Sequence, residues 1–200
     1  MVAWLPLAFT ASWASGINPY LLVLMMGLIG RFTDWAIPQG LERTDVLIIF
    51  AVLAVVDTIA DKVMYVDSVW DAINTVIRPV AGGVVAALIA APNTDIPTAA
   101  IAAGGGLVAL VTHLAKASTR IAVNTSPEPV SNVALSTAED VAVAGVVIVS
   151  VFNPWVAATI AGILLILGVV VALTVAKYVR KGWRRIRRPG DSPVSVEPPA

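Results

Sequence analysis

The sequence predicts an all-α polytopic membrane protein of about six transmembrane helices. They form two inverted three-helix repeats, and the first helix is broken at an Asn-Pro pair. Three observations carry this prediction. The chain of 200 residues is 58% apolar and 13% charged, against about 45–50% and about 25% in ordinary soluble domains. Apolar segments recur from residue 11 to residue 178. The basic residues fall mostly on one side of the resulting layout.

The formal net charge is zero, which gives no general attraction to nucleic acid. The absence of cysteine excludes disulfides, thiolate zinc sites and thiol nucleophiles. Residues 1–9 carry no lysine or arginine, unlike the charged start of a secretory signal.

Six segments are apolar enough to consider as spans: 11–32, 46–60, 72–91, 98–116, 141–152 and 155–178. A crossing takes about 20 apolar residues, so the second and fifth need flanking residues. The third holds Asn74, Arg78 and Pro79 in its first half, which leaves open whether it crosses fully. Between spans, Pro38-Gln39-Gly40 and the stretch from Pro92 to Pro97 read as turns. Residues 117–140 form the longest polar connection, and 1–182 reads as one membrane domain, with repeats over about 11–91 and about 98–178. Residues 183–200 read as a basic, then Pro-rich, disordered cytoplasmic tail.

Charge fixes the orientation. "KYVRKGWRRIRR" places seven basic residues directly after the last span, which puts that end in the cytoplasm. Six spans bring the N-terminus to the same side. Arg31 and Arg43 alone fall outside, leaving eleven of the 13 basic residues inside. The basic tail also suits anionic lipid headgroups, at about 1 kcal/mol per residue near the surface.

Three matches in the same order suggest the repeat. The segment from Ala14 to Arg31 resembles that from Ala102, "TDVLIIFAVLAVV" resembles "EDVAVAGVVIVSV", and the segment from Trp70 resembles that from Trp155. Inverted repeats are a common plan of secondary transporters, with the site near the repeat interface.

A charged residue inside a span costs roughly 2.5–3.5 kcal/mol on insertion scales, and such residues usually face inward and pair. Asp57 and Asp61 are four apart on one helix face, as are Asn74 and Arg78. Both pairs and Asn18 fall at one depth, in the inner half. Arg78 is expected to bridge to Asp57 or Asp61, leaving one carboxylate to reach water, take up a proton or meet a cation. The second half keeps none of these groups at the matched positions, so the polar function is expected in the first.

"SGINPY" supplies Asn18 as an N-cap and Pro19 at the first helical position. Gly16 suits the end of the preceding turn. One half-helix stops here and another starts, its free N–H groups facing the membrane interior. Gly104, Gly105 and Gly106 suit close backbone approach. Asp67 and Asp71 read as an interfacial turn, and His113, with no carboxylate at helical spacing, reads as interfacial.

With "SGINPYL", "ADKVMYVDSVWDAINTVIRPVAG" and the glycine-rich start of the second half, the chain resembles a bacterial integral-membrane family known as domain of unknown function 4126. The resemblance reaches to about Gly182. It implies one module in a bacterial inner membrane and no particular substrate.

The leading functional expectation is a small transporter or channel-like protein for an ion or small solute. Its polar intramembrane site is Asn18, Asp57, Asp61, Asn74 and Arg78. One alternative is a non-catalytic accessory or scaffold subunit of a membrane complex, with a homo-oligomer or other membrane partner. A third is a metal-dependent lipid-phosphate transferase using the aspartates 57, 61, 67 and 71, although its usual motif is missing. No catalytic set, metal site or cofactor is expected.

Overall fold

Asn18 divides the predicted first span into two antiparallel helices. Its backbone is extended (φ −149°, ψ 90°), its side-chain oxygen accepts from the Leu21 N–H, and Pro19 opens the new helix. The computed structural model describes residues 4–35, 37–63, 66–124 and 129–186. These form α1 (Trp4–Ile17), α2 (Pro19–Phe32), α3 (Thr44–Ala60), α4 (Val66–Ala90), α5 (Thr98–Asn124), α6 (Pro129–Phe152) and α7 (Pro154–Ile186). Short 3-10 turns lie at Gln39–Glu42 and Ala91–Asn93, and no strand occurs among the described residues.

The direction of each helix follows from its neighbours. Along α1, Ser12 lies against Gly105, Gly16 against Ala109 and Thr112, and the Ile17 carbonyl against Lys116, so α1 runs parallel to α5. Along α2, Asn18 meets Asp140, whereas Leu22, Met26 and Ile29 lie beside Val147 and Val151, so α2 runs parallel to α6. α5 and α6 are themselves antiparallel, because Arg120 near the end of α5 reaches Glu139 in the first half of α6 while α6 ends at Phe152. Leu7 of α1 faces the same small cleft as Met26 of α2. The one broken helix expected at the start is therefore corrected to two antiparallel helices, which makes seven α-helices among the described residues. The start of α1 and the end of α7 lie at opposite ends of the bundle.

Among the described residues, four helices are long and apolar enough to cross a membrane, over Val66–Asn93, Thr98–Val123, Val130–Phe152 and Pro154–Lys181. α3, with 17 residues, is about 25 Å long at 1.5 Å per residue. Ile48, Ile49, Val52, Val55 and Ile59 on it are exposed, an outer surface suited to lipid. α1 differs: it is enclosed by α4, α5, α6 and α7, and ten of its 14 residues are buried. A helix apolar on every side belongs in such an interior. Two of its hydroxyls are satisfied locally, Thr10 donating to the Pro6 carbonyl and Ser12 to that of Ala8.

Small residues set the close packing. A Cβ on Gly16 would come within 2.5 Å of the Ala109 carbonyl oxygen, so Gly16 seats α1 on α5. Gly16 lies inside the last turn of α1, which closes at Ile17, and not at the helix end expected from sequence. Gly105 meets Ala86 and Ser12, and Gly106 meets the Pro79 carbonyl. Gly104 differs from expectation, with nothing within 4 Å of its Cβ position.

The polar stretch 117–140 is mostly helical, belonging to α5 and α6. The basic run continues α7 as far as Ile186, so the expected tail begins later than residue 183. The Pro-rich remainder lies outside the described residues. The hairpin predicts that Leu5→Cys and Lys181→Cys react with a membrane-impermeant thiol reagent from opposite sides of sealed vesicles. Reaction of both from one side contradicts the fold-back at Asn18.

Candidate functional site: a buried charge network at the helix break

Two helix ends meet inside the bundle at residues 17–19, and each leaves backbone groups that lipid cannot satisfy. α5 and α6 supply the partners. Lys116 Nζ donates to the Ile17 carbonyl at 3.0 Å, closing the end of α1 with a cation, the charge that a helix C-terminus favours. Asn18 caps α2 with its oxygen and donates its amide N–H to Asp140 at 3.1 Å. Thr58 holds the other oxygen of Asp140, and Lys62 lies 3.9 Å away.

Around this junction lie two ionic groups. In the first, Arg78 of α4 donates to Asp57 and to Asp71, both at 3.3 Å. Trp70 donates to the same Asp57 oxygen at 2.6 Å. His113 of α5 places Nδ1 2.9 Å from an Arg78 amino group and Nε2 3.0 Å from the Thr75 hydroxyl. The guanidinium can only donate, so Nδ1 accepts and the proton sits on Nε2. Thr75 passes its own proton to the Asp71 carbonyl. Asp57 and Arg78 are fully buried.

In the second group Asp61, just past the end of α3, binds Lys116 at 2.5 Å and Arg120 at 3.0 Å. Both cations also reach Glu139 of α6, at 3.5 and 3.2 Å. Arg120 and Asn132 donate to the Asp61 carbonyl, closing the C-terminus of α3. Asp67 lies 3.9 Å from Arg120 and accepts from Ser68.

Among the described residues this network holds the carboxylates Asp57, Asp61, Asp67, Asp71, Glu139 and Asp140. Against them stand the cations Lys62, Arg78, Lys116 and Arg120. No three His, Cys, Asp or Glu side chains among the described residues are grouped so as to hold a metal ion. The aspartates are shared out among Arg78, Lys116 and Arg120.

The glycine and Asn-Pro motifs and the aspartate-rich stretch of α3 and α4 thus lie in one continuous bundle. A family model described as "Domain of unknown function (DUF4126)" matches residues 5–174. The chain belongs to this family. The DUF4126 match covers α1 to α6 and most of α7, hence every member of the network. No curated protein and no solved structure matches the chain.

Of the residues singled out from sequence, Asn18, Asp57, Asp61 and Arg78 lie in the network. Asn74 stands beside it, accepting from the Tyr20 hydroxyl and donating to the Trp70 carbonyl. Several expectations are corrected. Arg78 pairs with Asp57, one of the two acids expected for it, whereas Asp61 on the same face is held by Lys116 and Arg120, so it is not the carboxylate left over. Asp67, Asp71 and His113 are buried rather than interfacial, because partners from facing helices enclose them. The second half also contributes polar groups, supplying His113, Lys116, Arg120, Glu139 and Asp140 to the network.

Asn18→Ala is expected to cost at least the usual cap loss, about 0.5–2 kcal/mol. Asn18→Asp, normally an equivalent cap, is expected to cost more because it sets a second carboxylate against Asp140. Denaturant unfolding of the purified protein measures both, and equal stability of Asn18→Asp and wild type contradicts the arrangement.

Proposed function

We propose that the chain is a small transporter or channel-like protein for protons or a small cation, with the charge network as its polar site. The supporting observation is the balance of charge: the carboxylates Asp57, Asp61, Asp71, Glu139 and Asp140 stand against four described cations in a mostly sealed interior. A purely structural ionic core gains from neutrality, because uncompensated charge in a low-dielectric interior costs several kcal/mol. An acidic surplus suits a site that takes up and releases positive charge. Asp71, Glu139 and Asp140 retain partial exposure of 12, 14 and 18%, and lie between the sealed groups and the surface. In this reading α2–α4 and α5–α7 are the two inverted three-helix units. The protein lies in a bacterial inner membrane with the basic end of α7 in the cytoplasm, against anionic headgroups.

A second reading, an accessory or scaffold subunit, draws on a different observation. Each described cation of the network meets a carboxylate from another helix, which suits a lock as well as a path. The metal-dependent transferase reading gains no support, because its aspartates are engaged by cations.

Flux separates the first two readings. Full-length protein in liposomes is expected to dissipate an imposed proton, sodium or potassium gradient faster than empty vesicles. Asp57→Asn, with an unchanged melting temperature, is expected to remove that excess. Folded wild-type protein that dissipates none of the three gradients favours the scaffold.

A further inference from the structure

One guanidinium facing two carboxylates in a sealed interior raises the matter of where the second negative charge goes. Lys116 and Arg120 answer to Asp61 and Glu139, Arg120 also reaches Asp67, and Lys62 answers to Asp140. Of the described cations, Arg78 is left for Asp57 and Asp71. His113 adds no charge there, since its Nδ1 accepts from Arg78 and its Nε2 proton is held by Thr75. The charged and titratable groups around Asp57 are then Asp61 on its own helix, Tyr20 from α2, and Asp71 and Arg78 from α4. His113 and Lys116 from α5 and Asp140 from α6 complete the set.

The two oxygens of Asp57 differ. Oδ1 accepts from both Trp70 and Arg78, whereas Oδ2 is buried with no hydrogen-bond donor. An ionised carboxylate offers about four acceptor sites over two oxygens, and leaving one oxygen bare in a dry interior is costly. A protonated carboxyl lifts the surplus charge and leaves a neutral O–H, which costs less to hold without a partner than an ionised oxygen. Asp71 keeps 12% of its side chain exposed, where solvent can moderate a negative charge.

We propose that Asp57 is a proton-binding site, holding one proton on Oδ2 while Asp71 is ionised and paired with Arg78. Proton release is balanced by charge alone. The O–H bond of Asp57 breaks, the proton leaves toward water at the Asp71 edge, and Arg78 then faces two carboxylates. No oxidant or co-reactant is needed. This assignment goes beyond transport, because an equilibrium proton is held whether or not any ion crosses the membrane.

Infrared spectroscopy of the full-length protein at neutral pH tests it without any flux. Wild type is expected to show the carbonyl stretch of a protonated carboxylic acid. That band is expected to shift slowly after transfer to deuterated water, as befits a sealed group. Asp57→Asn and Asp71→Asn are each expected to lose one carboxyl's worth of the band, because each leaves one acid for one guanidinium. Both variants keep a partner for Arg78, and the wild-type exchange measurement stands without them. Absence of the band in wild type overturns the proposal. So does its full intensity in either folded variant, or an immediate deuterium shift, which places the proton on Asp71, the less enclosed of the two. A normal band with no flux in liposomes would retain the proton site and remove transport.

Discussion

Ending two helices inside an apolar bundle is the constraint on which the rest of the structure depends. The carbonyls at the end of α1 and the N–H groups at the start of α2 have no lipid partner, and each unpaired group costs free energy comparable to a lost hydrogen bond. The fold answers with side chains from distant parts of the chain. Lys116 closes one end, and Asn18 with Asp140 closes the other. Once a lysine has been brought to that depth it needs counter-charge, which Asp61 and Glu139 provide. Arg120 completes that group and also caps α3 through the Asp61 carbonyl. The break and the charges are thus one arrangement.

This arrangement gives the packing its register. α1 approaches α4 and α5 through Gly16, Gly82 and Gly105, where a side chain would collide with a neighbouring backbone or methyl group. Close approach of this kind is the usual device for helices that cannot rely on water to drive them together. It brings the end of α1 to the level of Lys116, and α2 then returns along α6. Without the small residues, the lysine could not reach the Ile17 carbonyl. Without the lysine, α1 would end in unpaired carbonyls.

Much of the break was legible, because its chemistry is local. Asparagine as a cap and proline at the first helical position mark a new helix from a few adjacent residues. Its direction was not legible, since those residues fit a kinked continuation and a fold-back alike. Asp57, Asp61 and Arg78 stood out through the cost of placing charge among apolar residues. Lys116 stands at a boundary drawn where hydropathy falls, and Arg120 and Glu139 stand beyond such boundaries. The helices α5 and α6 run on past those boundaries and carry the charges inside. A usable signal was there: Thr112, Lys116 and Arg120 recur at every fourth residue, and Asn132, Ser136 and Glu139 keep helical spacing. His113 gave no such signal, because Arg78 and Thr75 lie on another helix.

The central claim is that cross-helix ion pairing at the break holds the bundle together. The most direct measurement is a double-mutant cycle on Asp61 and Lys116, read by reversible unfolding of the full-length protein. Asp61→Leu and Lys116→Met are each expected to cost about 3–5 kcal/mol, since each strands a buried charge. Together they are expected to cost well under the sum, because the remaining Arg120 and Glu139 still pair. Single losses that are small, or that simply add, contradict the account.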